Sequence, residues 1–127
     1  MLTFIYIHCV KRLSLYLMSI VYFFAGVNHF LHPLFYLKIM PPWLGSHRTL
    51  VFISGACEIL FALLLLPTRT RQFAAWCIIL LLIAVFPANI QMMINYLNEN
   101  NSQLWIAILR LPIQILLVLW AYSFTRK

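Results

Sequence analysis

Residues 73–86 read Phe-Ala-Ala-Trp-Cys-Ile-Ile-Leu-Leu-Leu-Ile-Ala-Val-Phe, with no charged side chain and no strong hydrogen-bonding group except the Trp76 indole. A helix that is apolar on every side is either buried in a large core or embedded in a membrane. A chain of 127 residues has no core large enough for the first. The run also has company: it opens the third of four apolar segments, 13–31, 49–66, 73–94 and 104–124. Each is close to the ~20 residues that cross a bilayer as a helix, a structure in which the backbone satisfies its own hydrogen bonds. The two-residue alternation of a membrane β-barrel is absent. Hydrophobic residues make up 65% of the chain and charged ones 9%. That combination excludes a soluble domain with a polar surface, and it excludes disorder. The reading is an all-α integral membrane four-helix bundle, a single transmembrane domain over residues 1–127, in contact with lipid on all sides.

The first segment has the basic start of a signal peptide but runs too long, ends in Asn28-His29 and lacks a small-residue cleavage site, so it reads as a retained span. The apolar stretch before Lys11 is too short to cross, which leaves it at the interface or as an extension of helix 1. The net charge is +7. Such a balance in a soluble protein would suit nucleic acid. Here the basic residues lie between apolar segments and orient the bundle instead, and no nucleic-acid partner is expected. Lys11, Arg12, Arg69, Arg71, Arg126 and Lys127 fall on one side, Lys38 and Arg48 on the other. The more basic side faces the cytoplasm, so both termini are predicted inside.

Residues 32–48 make an unusual connection. Phe35, Tyr36, Ile39, Met40 and Trp43 are too apolar for a free loop, and Pro41-Pro42 breaks any helix. An ordered half-helix or re-entrant turn is expected on the outer interface, with Tyr36 and Trp43 at the headgroup level.

Polar groups inside the spans carry the functional argument, because each is costly there. The two charges are Glu58 and Arg110; the neutral groups are Asn28, His29, Asn89, Gln91 and Gln114. With the termini inside, these residues fall in the outer half of the bundle. That bias predicts a polar cavity opening outward. At 100° per residue, Arg110 and Gln114 share a face, as do Ser54 and Glu58. Asn89 and Gln91 cannot both point inward, and Asn89, just after Pro87, is preferred. Pro87 and Pro112 lie within spans and free the carbonyls of Ile83 and Ile108. Glu58 lies about 13 Å and Arg110 about 9 Å from the outer ends of their segments by helical rise. An ion pair between them is expected, direct or bridged by Asn89 or Gln114. The ligand-binding set is therefore Asn28, His29, Glu58, Asn89, Arg110 and Gln114. His29 and His32 lack a third metal ligand nearby, so no metal site is expected. The cysteines form no C-x-x-C pair, and no nucleotide loop or nucleophile elbow occurs.

These positions fall in segments that resemble the DoxX family of small four-helix bacterial membrane proteins. The matching pieces, in order, begin with Ala25-Gly26-Val27-Asn28-His29-Phe30, Pro33 with Tyr36, and Met40-Pro41-Pro42-Trp43-Leu44. They continue with Ser54-Gly55-Ala56-Cys57-Glu58-Ile59, then Arg71 with Ala74-Ala75-Trp76. Phe86-Pro87-Ala88-Asn89-Ile90 and Arg110-Leu111-Pro112-Ile113-Gln114 with Trp120 complete them. The resemblance implies a bacterial cytoplasmic (inner) membrane location. The family takes its name from a small subunit linked to quinone-dependent sulfur oxidation. In electron transfer a chain like this would have no intrinsic cofactor and would supply a quinone or lipid site, or an assembly surface, while a membrane or redox protein partner carries the cofactor. A homo-oligomer is the other association left open.

Four functions remain open on the sequence. The first is a binding or accessory subunit holding a quinone or other lipophilic ligand. The second is a small membrane enzyme using Glu58 or His29 as acid–base on a lipophilic substrate. The others are a transporter component and a structural partner.

Overall fold

A computed structural model describes residues 1–126. Five helices follow one another: α1 (Leu2–Leu31), α2 (Pro33–Lys38), α3 (His47–Leu64), α4 (Thr68–Asn98) and α5 (Leu104–Tyr122). All but α2 are long and apolar enough to cross a membrane. Large side chains such as Leu80, Leu116 and Leu119 point outward, while Ala62, Ala74, Ala75, Ala107 and Ala121 are fully buried. Small residues inside and large apolar ones outside suit a lipid solvent, because close backbone approach rather than hydrophobic burial holds such helices together.

Two helices exceed their apolar segments. α1 begins at Leu2, so the stretch before Lys11 extends helix 1 rather than lying apart from it. α4 starts at Thr68 and ends at Asn98, outrunning the segment 73–94 at both ends. Hydropathy marks the depth of a membrane, whereas backbone hydrogen bonding continues until something stops it. Before α4 that stop is Pro67, which sits extended at φ −69° and ψ 137°. α4 and α5 run unbroken through Pro87 and Pro112.

The helices pack as two close pairs, α1 with α3 and α4 with α5. Gly26 and Gly55 form the first crossing: a Cβ on Gly26 would stand 2.6 Å from the Gly55 carbonyl oxygen. One level away, the Ser19 hydroxyl donates to the Ala62 carbonyl at 2.7 Å. The pairs are joined at the end that carries the chain termini. There Arg71 donates to the Leu65 and Leu66 carbonyls at 3.0 and 2.8 Å, and Thr70 donates to Leu64 at 2.6 Å. These bonds satisfy the carbonyls left over at the end of α3. At the same end the Trp120 indole donates to the Ser14 hydroxyl at 2.8 Å, linking α5 to α1. A core cluster with Leu15, Met18, Leu65, Ile78 and Phe124 fills this end, and a smaller one with Ile39, Met92 and Ala107 fills the other.

Residues 32–48 are ordered, as α2 and a turn. Ile39 and Pro41 are buried, and His47 Nε2 lies 3.1 Å from the Pro41 carbonyl. Ser46, at φ 53°, turns the chain into α3. Trp43 is 72% exposed. The Tyr36 ring turns inward and stacks on His29, a contact that the interfacial preference of a lone tyrosine does not predict. Lys127 lies outside the described residues.

Candidate ligand cavity

Between the two core clusters lies a cavity of about 300 Å³, lined by all four long helices and by α2. Each wall has its own reason to present a polar group. On α1, Tyr22 and His29 are seven residues apart, two turns, and so share a face. On α3, Ser54 and Glu58 share one, as do Arg110 and Gln114 on α5. α4 contributes Asn89. Gln91 turns away and donates to Asn95 at 2.9 Å.

His29 is oriented from two directions. Its Nδ1 lies 3.1 Å from the Val51 carbonyl, and its ring stacks on Tyr36 with centroids 3.8 Å apart at 16°. A carbonyl only accepts, so Nδ1 carries the hydrogen of that bond. Nε2 then faces Glu58 Oε2 at 3.4 Å, an ion-pair distance without hydrogen-bond geometry. With Nδ1 already protonated, these two atoms compete for a single further proton. His29 and Glu58 are thus the one acid–base couple in the cavity among the described residues. Glu58 Oε2 and the Tyr22 hydroxyl are both buried without a hydrogen-bond partner.

Asn28 does not line the cavity. It stands behind Tyr36 and donates to the phenol oxygen at 2.7 Å. Because the phenol accepts from Asn28, it keeps its own hydrogen for another partner. Burial pushes the Tyr36 phenol up from its ordinary value, so it remains an O–H donor at neutral pH.

The expected Glu58–Arg110 pair is not formed. Glu58 sits against His29. Arg110 donates from one guanidinium nitrogen to Met92 Sδ at 3.1 Å and lies 5.9 Å from the centroid of the Phe35 ring. Asn89 and Gln114 do not bridge the charges. Asn89 donates to Gln114, and Gln114 donates to the Leu82 carbonyl, one residue before the Ile83 carbonyl that Pro87 frees. The physical reason is lateral order. α3 packs on α1 and α4, and α5 packs on α4, so the cavity separates Glu58 from Arg110. Helical rise gives depth and says nothing of which helices are neighbours.

Of the residues expected at a site, the structure therefore gathers His29, Glu58, Asn89, Arg110 and Gln114 around one cavity and places Asn28 one contact behind. Tyr22, Tyr36 and Ser54 also line it. The seven-residue spacing of Tyr22 from His29 was a usable signal for the first of these. Residues 18–125 match a family described as a domain of unknown function (DUF8561), and the DoxX family gives no match. No curated protein and no solved structure matches the chain.

Proposed function

This chain belongs to the DUF8561 family, and from that premise we propose that it is a multi-pass membrane binding or accessory protein whose cavity takes the polar head of a lipophilic ligand, a quinone or another isoprenoid or lipid. One observation carries the reading: four membrane-length helices each send a polar side chain to one cavity, and two buried polar atoms there, the Tyr22 hydroxyl and Glu58 Oε2, have no hydrogen-bond partner among the described residues. Buried polar atoms are almost always satisfied, so an unpaired couple facing a cavity favours a ligand that completes them. The cavity also falls within the 300–1,000 Å³ range typical of small-molecule sites. A partner protein would hold any redox cofactor. The proposal places the protein in a bacterial inner membrane.

The ligand is tested by native mass spectrometry of gently solubilised protein. A lipophilic small molecule should accompany the wild-type chain, chemically unchanged, and be depleted in Glu58→Gln. A wild-type chain free of any such molecule, in a preparation still folded by circular dichroism, would remove the reading.

The His29–Glu58 contact favours a second reading, acid–base catalysis on a lipophilic substrate. Turnover by the isolated protein would favour it over simple binding.

Orientation follows the basic residues. The end with Lys11, Arg12, Arg69, Arg71 and Arg126 faces the cytoplasm in this proposal, and the cavity opens toward the opposite side. A reporter active only in the periplasm should be silent when fused after Lys127. A signal there would invert the topology.

A further inference from the structure

Arg110 is the only cation within the four apolar segments, and it lines the cavity. A guanidinium stays charged and offers five N–H donors. Among the described residues its one hydrogen bond goes to the Met92 thioether, a weak acceptor, and its flat face lies near the Phe35 ring. Neither group is negative. The only acidic residue in the spans, Glu58, is across the cavity beside His29. Charged groups at membrane depth are almost always paired or set in a watery cavity, and among the described residues this guanidinium has no counter-charge.

The rest of the cavity says what the missing partner looks like. Tyr22 is 4% exposed, and its hydroxyl, like Glu58 Oε2, has no hydrogen-bond partner. Much of the remaining wall is apolar, with Val21, Leu82, Val85 and Ile113. Val21 on α1 and Ile113 on α5 both line the cavity and are exposed. No close packing of α1 on α5 covers the seam between them. A chain can leave through that seam into lipid.

We infer that the cavity binds a lipophilic anion, a single-chain amphiphile whose carboxylate or phosphate is held by Arg110, whose neighbouring hydroxyl or carbonyl reaches Tyr22 and Glu58, and whose chain leaves between Val21 and Ile113. The inference rests on the binding reading above and narrows it. A neutral head would satisfy Tyr22 and Glu58 but leave the guanidinium without a counter-charge. An oxyanion meets it with charge-assisted hydrogen bonds.

Three probes separate the possibilities in neutral detergent, at a pH where the carboxylate is ionised: oleate, oleyl alcohol and a lysophosphatidylglycerol. Binding is read as retained mass in native mass spectrometry and as a rise in unfolding midpoint. Oleate should bind roughly tenfold or more tightly than oleyl alcohol, the scale of one charge-assisted contact. Arg110→Gln should erase that preference, while Arg110→Lys should keep part of it. Stronger binding of the lysophospholipid than of oleate would assign the anion to a membrane-lipid phosphate, and the reverse order to a free acid. Equal binding of acid and alcohol by the wild-type chain, a comparison that needs no variant, would overturn the anion and leave the cavity reading standing. Failure of all three probes to bind, or binding indifferent to both Glu58→Gln and Arg110→Gln, would overturn both.

Discussion

Gly26→Ala should destabilise the protein by about 1–3 kcal/mol, the range for a methyl forced into a packed contact. The added Cβ would stand 2.6 Å from the Gly55 carbonyl oxygen and 2.7 Å from Ile59 Cγ1. A side chain can swing aside, but a backbone carbonyl moves only if α3 moves. Gly55→Ala should act in the same direction, since its Cβ would meet His29 Cβ at 2.6 Å and the Gly26 carbonyl at 3.0 Å. That variant also pushes on the residue that faces Glu58, so it should cost ligand retention as well as stability. Gly45→Ala is the control, because nothing lies within 4 Å of a Cβ there. Unfolding in detergent micelles checks all three, and a Gly26→Ala protein as stable as wild type would refute the close crossing.

His29 and Glu58 should be energetically coupled by at least ~1 kcal/mol, in the range found for residues in contact. Glu58→Gln and His29→Leu each leave one member of the couple facing a group it no longer matches. The double variant removes both and should lose less than the sum of the two. The same cycle with Glu58→Gln and Arg110→Gln, made on ligand-free protein, should give a clearly smaller coupling, because those residues share no bonded partner. Unfolding free energies of the four proteins in each cycle decide it. Equal coupling in the two cycles, or strict additivity at His29–Glu58, would dissolve the acid–base couple.

The spans were legible because membrane burial needs long apolar runs, and each of the four segments predicted its helix to within a few residues on the cavity side. The overhang of α1 at Leu2 was not legible, since nothing in Thr3 to Val10 tells a helix from an interfacial strip. The depth of Glu58 and Arg110 could be computed from helical rise, yet their pairing could not, because one sequence fits more than one lateral order of helices. The stacking of Tyr36 on His29 was not legible for a related reason: the distance between the two rings is set by the fold of residues 32–48.

Two of the stitches between the helix pairs, the Arg71 turn and the Trp120–Ser14 bond, lie at one end. Two arms fastened at one end would spread most at the other. His29 is fifteen residues beyond Ser14, about 22 Å along α1, so an angular play of some 5° at the hinge translates into about 2 Å at the tips. At the tips sits α2, with Ile39 wedged against Met92 and the Lys38 carbonyl taken by Asn95 at 2.9 Å. The short helix is therefore a clasp as much as a wall. Lengthening or loosening it would change how far the arms part without altering a single residue that touches the cavity from the long helices.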